Sequence, residues 1–297
     1  MPPLILRSPA KLNLVLDILR KRDDGYHEVD LVMQELDWHD DVTLETIPDD
    51  PRITITCTDP TVPTDERNVC HTAARLLQVE CEKKGKPMEG VRIHLAKKIP
   101  ATGGLGGGSS NAAAVLTGLN DAWGLGLSRD ALSVLGGKIG SDVPFFFYGK
   151  TCRATGRGEI ITLLPSCPRL EIAFLVPPVP VPPAKTKWIY GAFDVDKVGF
   201  HPSALELIAA LETGDPADIA HGMGNVFETL ELPEYAPVFS LIEEMRKMPG
   251  VLQCVLAGAG PTVAIVCETR KLAHQVIEPF RARGWIGFVT HTAGAEE

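Results

Sequence analysis

The strongest restriction on the fold comes from five glycines in six residues, at positions 103–108. A strand pattern, in which Val91, Ile93 and Leu95 alternate, ends just before them, and a helical pattern begins after them near Ser109. Without Cβ atoms, successive backbone N–H groups can turn toward one anion. A helix that begins there adds unpaired N–H groups and the positive end of its dipole. The segment therefore predicts a strand–loop–helix unit that binds a phosphate group.

Two common phosphate-binding loops do not match this segment or its surroundings. The Walker pattern requires a glycine five positions before Gly-Lys-Ser/Thr, and Pro144 occupies that place for the triplet at residues 149–151. The dinucleotide pattern G-x-G-x-x-G fails because Gly104 and Gly106 lead to Ser109. Neither of the two common nucleotide-binding folds is predicted.

The overall charge narrows the kind of anion. The chain has 29 Lys and Arg against 38 Asp and Glu, a formal net charge of -9. Proteins that bind long nucleic acids usually carry a basic excess. We therefore expect no nucleic-acid partner, whereas a small phosphorylated molecule is compatible with the balance.

Cysteine usage and hydropathy indicate the compartment. The seven cysteines form no Cys-x-x-Cys pair, which favours reduced thiols in a cytosolic protein. The first residues show no signal-peptide pattern, and the longest apolar stretches fall short of the roughly 20 residues of a membrane helix. We expect a cytoplasmic protein without a membrane partner. The oligomeric state is left open.

Apolar periodicity predicts the remaining elements. The predicted strands are 12–18, 28–36, 42–44, 53–55, 91–95, 145–148, 172–176, 251–256 and 263–266. The predicted helices begin near residues 69, 109 and 128 or lie around 203–213 and 236–248. The length fits about two domains of roughly 150 residues, and we place their boundary near residue 164, giving domains 1–164 and 165–297.

The glycine-rich segment, residues 100–113, resembles the ATP loop of the GHMP kinases, which include galactose, homoserine, mevalonate and phosphomevalonate kinases. Residues 256–266 resemble the third motif of that superfamily. Within the superfamily, four more segments resemble the 4-diphosphocytidyl-2-C-methyl-D-erythritol kinases: 9–14, 22–28, 140–146 and 154–159. The Asp-Gly-Tyr-His and Gly-Ser-Asp-Val-Pro stretches within them are far more specific than the glycine loop alone.

This resemblance implies an α+β, two-domain fold, with an N-terminal domain like ribosomal protein S5 and a ferredoxin-like C-terminal domain. It implies ATP and Mg²⁺ as cofactors. It also implies phosphorylation of the 2-hydroxyl of 4-diphosphocytidyl-2-C-methyl-D-erythritol, a cytidine-diphosphate-linked small molecule of non-mevalonate isoprenoid precursor biosynthesis.

The resemblance also assigns individual residues. It implies that Asp142 orients and deprotonates the acceptor hydroxyl, and that Lys11 stabilises the charge that develops. The implied substrate-binding residues are Asn13, Tyr26, His27, Thr186 and Tyr190, with the cytosine base between the two tyrosines. The implied nucleotide-binding residues are Asn68, Lys97, Gly103, Gly104, Leu105, Gly106, Gly107, Gly108, Ser109 and Ser110, and Ser110 is the implied magnesium ligand.

Each of these residues also has an ordinary structural explanation. Lys11 alone would be a solvated strand lysine, Asp142 a turn carboxylate, and Asn68 is equally well explained as a helix cap. Tyr26 and Tyr190 could be core aromatics. The chain departs from the usual pattern at positions 257 and 259, where alanine replaces frequent serines, so we expect this segment to support the phosphate loop through its backbone.

Three other functions stay open at this point. The first is another GHMP kinase of the homoserine or mevalonate type. The second is an RNA-binding module, because the implied N-terminal fold is shared with a ribosomal protein. The third is a nucleotide sensor that binds ATP without catalysis. The acidic charge balance and the glycine loop argue against the RNA-binding module.

Overall fold

The computed structural model describes residues 2–182, 184–195 and 198–294, which divide into two compact units. The first unit holds the residues up to 10 together with 38–101 and 106–148. The second holds 11–37, 102–105 and the residues from 149 onward. These units interleave along the chain, and the domain boundary near residue 164 stays a prediction.

The elements follow one another in a mixed order of strands and helices. The strands are β1 (Leu4–Lys21), β2 (His27–Ile47), β3 (Ile53–Cys57), β4 (Gly90–Ala96), β5 (Thr151–Thr155), β6 (Ile160–Leu163), β7 (Glu171–Val176), β8 (Gly224–Asn225), β9 (Val251–Leu256), β10 (Val263–Cys267) and β11 (Ile286–His291). The helices are α1 (Val69–Lys83), α2 (Gly107–Ala122), α3 (Arg129–Gly137), α4 (Phe145–Tyr148), α5 (Lys185–Ala192), α6 (Ala204–Thr213), α7 (Pro216–His221), α8 (Ala236–Arg246) and α9 (Arg270–Arg281).

The first unit is a sheet covered by helices. The end of β2 pairs antiparallel with β4, and β4 pairs parallel with β3. In β4, Val91, Ile93 and Leu95 are buried while Arg92 and His94 are exposed, which is the alternation expected for a half-buried strand. Helices α1 and α2 pack against each other, and their apolar side chains share one core with this sheet.

The second unit contains a four-stranded antiparallel sheet in the order β11-β7-β10-β9. Helix α8 packs on β9, and α9 packs on β7 and β11. Apart from the helices α5 to α7 and the short strand β8, which lie between β7 and α8, the order along the chain is strand, helix, two strands, helix, strand, which is the ferredoxin-like arrangement. The ferredoxin-like prediction is confirmed.

The long strands β1 and β2 are neighbours, and each supplies residues to both units. In the second unit β1 pairs parallel with the short strand β8, and β2 pairs antiparallel with β5, which pairs with β6. The sequence predicted two strands at 28–36 and 42–44, but the structure has the one strand β2. The polar residues between them keep the backbone extended because neighbouring strands pair with it.

One predicted element has the wrong type. The sequence predicted a strand at residues 145–148, and the structure has the single helical turn α4 there. A four-residue apolar run is too short to distinguish the two periodicities. Phe145 is fully buried, and α4 packs on α2 and α3, so tertiary packing decides the conformation.

Other elements lay outside the sequence predictions: β5, β6, α5, α7, β8, α9 and β11. Helix α2 begins at Gly107 rather than near Ser109, because Gly106 takes a left-handed conformation and turns the chain into the helix. Within the described residues, no helix is both long and apolar enough to cross a membrane.

Candidate active site

The N-terminus of α2 carries the features of an anion site. Its cap residue, Gly106, has φ 72° and offers no side-chain hydrogen bond to the helix. The first intrahelical bond runs from the Ser110 N–H to the Gly106 carbonyl at 2.9 Å. The amides of residues 107–109 therefore lack an intrahelical acceptor, and the helix dipole favours negative charge in front of them. This is the site type that the sequence predicted.

A buried polar network lies under this helix end. The Asp40 carboxylate is fully buried and pairs with the Lys97 ammonium, whose side chain is also buried. The Asn111 amide joins them, because its Nδ2 donates to Asp40 at 3.0 Å and its Oδ1 accepts from Lys97 at 3.0 Å. Two backbone amides, those of Lys98 and Ile99, donate to the other Asp40 oxygen at 2.7 and 2.9 Å.

The network extends to the serine that was predicted to ligate magnesium. The Ser8 hydroxyl accepts from Asn111 at 2.8 Å and donates to the Ser110 hydroxyl at 2.7 Å. Ser110 is only 2% exposed, whereas Ser109 is partly exposed. Lys97 and Ser110 thus belong to the polar network under the start of α2, and the nucleotide contacts predicted for them stay predictions.

The first part of the glycine loop lies in the second unit and has a tight fit. Gly104 has φ 86°, and a Cβ built on it would lie 2.0 Å from the Ala257 carbonyl oxygen. A Cβ on Gly258 would lie 2.9 Å from the Gly104 carbonyl oxygen. The two segments therefore pack backbone to backbone, as the sequence predicted for the stretch after β9.

Three side chains fix the carbonyl groups of that stretch. Asn225 Nδ2 donates to the carbonyls of Leu256 and Gly258, both at 2.8 Å. The buried Tyr235 hydroxyl donates to the Ala259 carbonyl at 3.0 Å. The stretch is thus held through its backbone carbonyls, and positions 257 and 259 carry alanine in place of the serines common in the superfamily.

The third side chain is that of Lys185, which sequence reasoning missed. Its ammonium donates to the carbonyls of Thr102, at 2.5 Å, and Gly260. These partners lie 83 and 75 positions away in the sequence, so no local pattern reveals them. The sequence analysis did not predict the helix α5, and the lysine residue itself was the only signal that the segment offered.

The predicted catalytic lysine lies beside the glycine loop. The Lys11 backbone N–H donates to the Leu105 carbonyl at 2.9 Å, and its ammonium donates to Asn13 Oδ1 at 2.5 Å. Both side chains are buried, at 3% and 2% exposure. The solvated-lysine explanation is therefore wrong. A buried ammonium is costly unless it serves an interaction.

The predicted base, Asp142, belongs to the first unit. It is partly buried in the turn between α3 and α4, a turn in which the Val143 N–H donates to the Gly140 carbonyl at 3.2 Å. A turn carboxylate was the alternative explanation, and the location agrees with both. Its catalytic role stays a prediction.

The predicted base-binding aromatics form part of a cluster in the second unit. The His27 and Tyr190 rings lie 5.4 Å apart, and Phe227 contacts Tyr190 edge-on at 4.9 Å. Burial, followed by the charge of Lys21, lowers the pKa of His27, so its imidazole is neutral at neutral pH. A neutral imidazole both donates and accepts a hydrogen bond, as recognition of a base edge requires.

Three other predicted contacts have different surroundings. Tyr26 is 52% exposed, and the Arg157 guanidinium lies over its ring at 4.6 Å. Thr186 is exposed on α5. Asn68 caps α1, accepting from the Cys70 N–H at 2.9 Å, which confirms its structural explanation. Binding roles for these three residues stay predictions.

Comparison with known proteins identifies the family of this chain. Residues 68–150 match the family model "GHMP kinases N terminal domain", and residues 207–284 match "GHMP kinases C terminal". A 4-diphosphocytidyl-2-C-methyl-D-erythritol kinase of Geobacillus kaustophilus is 43% identical over 88% of this chain and 87% of its own length. The enzyme of that name from Brevibacillus brevis is 38% identical over 98% of this chain and 97% of its own length.

Solved structures give the same result. A crystal structure of 4-(cytidine 5'-diphospho)-2C-methyl-D-erythritol kinase superposes with a TM-score of 0.78 at 28% identity, covering 98% of this chain and 100% of that one. Homoserine kinase from Cytophaga hutchinsonii, at 18% identity and a TM-score of 0.71 over 99% of this chain and 95% of its own, shares the fold. The predicted two-domain α+β fold is confirmed. This chain belongs to the GHMP kinases and, among them, to the family of the 4-diphosphocytidyl-2-C-methyl-D-erythritol kinases.

Proposed function

We propose that the protein transfers the terminal phosphoryl group of ATP to the 2-hydroxyl of 4-diphosphocytidyl-2-C-methyl-D-erythritol. The observation that carries the proposal is the uncapped start of α2, which follows a loop packed backbone to backbone on residues 257–260. A loop so placed presents amides to a polyphosphate. Relatives at 38–43% identity over most of the chain supply the substrate class.

The residues present fit ATP and Mg²⁺. The amides of residues 107–109 lack intrahelical acceptors, and Gly108 is exposed with only Val69 near a built Cβ, at 3.8 Å. That space and charge suit phosphate oxygens. Ser110 offers a hydroxyl oxygen, a ligand type that magnesium prefers. When bound, Mg²⁺ neutralises charge on the terminal phosphates.

The chemistry divides between two side chains. The acceptor oxygen forms a bond to the terminal phosphorus, the bond from that phosphorus to the bridging oxygen breaks, and ADP leaves. Asp142 takes the proton of the acceptor hydroxyl, and Lys11 stabilises the negative charge that develops on the transferred group. Phosphoryl transfer needs mainly positioning and charge stabilisation, which these residues supply.

The cytosine base is recognised in the second unit. His27 and Tyr190 already lie 5.4 Å apart between ring centroids. Stacking on an aromatic side chain contributes about 1–3 kcal/mol per base in nucleic-acid systems. His27 stays neutral at neutral pH because burial lowers its pKa, so it can exchange hydrogen bonds with the base edge. We infer action in the cytoplasm from the reduced, scattered cysteines, which form no disulfide in the structure.

The decisive test is ADP release from ATP and Mg²⁺ with four acceptors offered separately. They are 4-diphosphocytidyl-2-C-methyl-D-erythritol, mevalonate, homoserine and galactose. We expect release with the first acceptor alone. Release with mevalonate or homoserine instead would assign a different GHMP kinase, and ATP binding without release would indicate a sensor.

Asp142→Asn tests the assignment of the base. The amide keeps the size of the side chain but cannot take a proton, so turnover should fall about 100- to 10,000-fold, the usual contribution of general base catalysis. The thermal unfolding midpoint should stay near that of the wild type. Near-normal turnover would remove Asp142 from the mechanism.

A further inference from the structure

Lys185 is a buried cation outside the set of residues that the resemblance assigned. It is the first residue of α5, directly after Ala184, whose φ of 51° turns the chain into the helix. The side chain points inward and is 8% exposed. Lysine rarely occupies such a position unless it is paired.

Its hydrogen bonds connect two segments that the phosphate site depends on. One accepting carbonyl belongs to Thr102, at the start of the glycine loop, and the other to Gly260, in the stretch after β9. Those segments also meet at Gly104, where a Cβ would lie 2.0 Å from the Ala257 oxygen. The ammonium therefore bridges the two chain segments whose close approach shapes the loop.

The charge of Lys185 has no carboxylate to balance it within the described part of the chain. Burial, followed by the charge of Lys11, lowers the pKa of Lys185 to about 8. The positive charge of Lys11 therefore disfavours the charged form of Lys185. Such an arrangement costs free energy in the empty protein, and a polyanion placed there would recover it.

We propose that Lys185 is a positioning residue of the phosphate site, which holds residues 102–105 against residues 257–260 and whose charge favours binding of the polyphosphate of ATP. The inference rests on the proposed function for the identity of the nucleotide. It adds Lys185 to Lys11 and the amides of α2 as a residue of the phosphate site. A residue that only stabilised the fold would need no uncompensated charge.

The experiment compares three variants with the wild type. Lys185→Met removes the charge and both hydrogen bonds, Lys185→Arg keeps a cation with donors, and Lys187→Met removes an exposed lysine of the same helix as the control. Two quantities are measured. The first is KM for ATP and for the acceptor, with kcat. The second is the unfolding midpoint with and without Mg²⁺ and a non-hydrolysable ATP analogue.

Loss of hydrogen bonds from a charged donor should raise KM for ATP in Lys185→Met by about ten- to a hundredfold. KM for the acceptor should change less than about twofold, because the interaction lies on the nucleotide side. The unliganded midpoint should shift by only a few degrees, since removing a buried charge offsets the lost hydrogen bonds. At the same analogue concentration, the midpoint should rise less in Lys185→Met than in the wild type and in Lys187→Met, and Lys185→Arg should recover most of the loss.

Two results would overturn the proposal. One is a KM for ATP in Lys185→Met within twofold of the wild-type value. The other is a large fall in the unliganded midpoint together with a parallel loss in every kinetic parameter, which is the behaviour of a purely structural lysine. The analogue measurement needs no acceptor, so it reports on Lys185 even if the acceptor assignment fails in the ADP-release test.

Discussion

Two buried lysines in this protein have opposite surroundings. In the first unit, Lys97 pairs with the Asp40 carboxylate and donates to the Asn111 amide oxygen, so its charge is balanced. In the second unit, Lys185 donates to two neutral carbonyls and is repelled by Lys11. The first lysine belongs to a closed network, and the second keeps an excess of positive charge.

This difference distinguishes a lysine that stabilises the fold from one that favours the binding of an anion. A buried network in which the charges are paired rigidifies the structure, and losing one charged member leaves the other buried without its counter-ion. An unbalanced cation does not improve the stability of the empty protein but attracts an anion. The same residue type therefore holds the start of α2 in place through Lys97 and prepares the loop for phosphate through Lys185.

The largest effect on stability should come from Asp40→Asn. The substitution leaves Lys97 buried without its counter-ion and replaces one acceptor oxygen by a donor facing the Asn111 amide or the Lys97 ammonium. Breaking a buried ion pair costs about 3–5 kcal/mol, so the free energy of unfolding in denaturant should fall by that amount. The matched control is Asp41→Asn, at a partly exposed partner of Lys98 at 3.0 Å, which should cost less than about 1 kcal/mol. Equal losses at the two positions would contradict the closed-network interpretation.

The second effect concerns pH and Lys185. Its pKa is about 8 in the folded protein, against 10.5 as the ordinary value, so the unfolded chain binds more protons between those limits. The wild type should therefore gain stability relative to Lys185→Met as the pH rises from about 8 toward 10.5, by at most about 3 kcal/mol. Unfolding experiments between pH 7 and 10 measure this difference, with Lys187→Met as the control. A difference that stays constant with pH would show that Lys185 is balanced as well as Lys97 is.

The third effect tests the close approach that Lys185 bridges. Gly104→Ala places a Cβ 2.0 Å from the Ala257 carbonyl at φ 86°. Gly126→Ala, at φ 62° with nothing within 4 Å, carries the backbone strain without the clash. Overpacking should cost Gly104→Ala about 1–3 kcal/mol more than the control and should weaken ATP binding. Equal stability and equal KM for ATP would mean that the loop does not need this contact.

The smallest effect should come from Ser8→Ala, which removes one outer member of the closed network. Asn111 keeps its bond to Asp40, so only the Ser8–Ser110 and Asn111–Ser8 bonds are lost. The free energy of unfolding should fall by about 1 kcal/mol. A loss as large as that of Asp40→Asn would show that the network acts as one unit rather than through its ion pair.

Much of the local structure was predictable. Alternation in β4 and the helical spacing of α1 and α2 predicted those elements, because one buried face repeats at a fixed interval. A continuous apolar run predicted β10, which is buried along its whole length. Residues 145–148 were assigned to a strand because four apolar residues carry no periodicity. Their helical turn is decided by packing on α2 and α3.

The glycine loop, the alternation of β4 and the family motifs could all be predicted from the sequence, since each depends on backbone freedom or on residues close in sequence. The sequence could not predict which charged groups pair with one another. Asp40 meets Lys97 across 57 positions, and Lys185 meets Thr102 across 83. Whether a buried lysine is balanced depends on which groups lie within a few ångströms of it, and only the tertiary structure decides that distance.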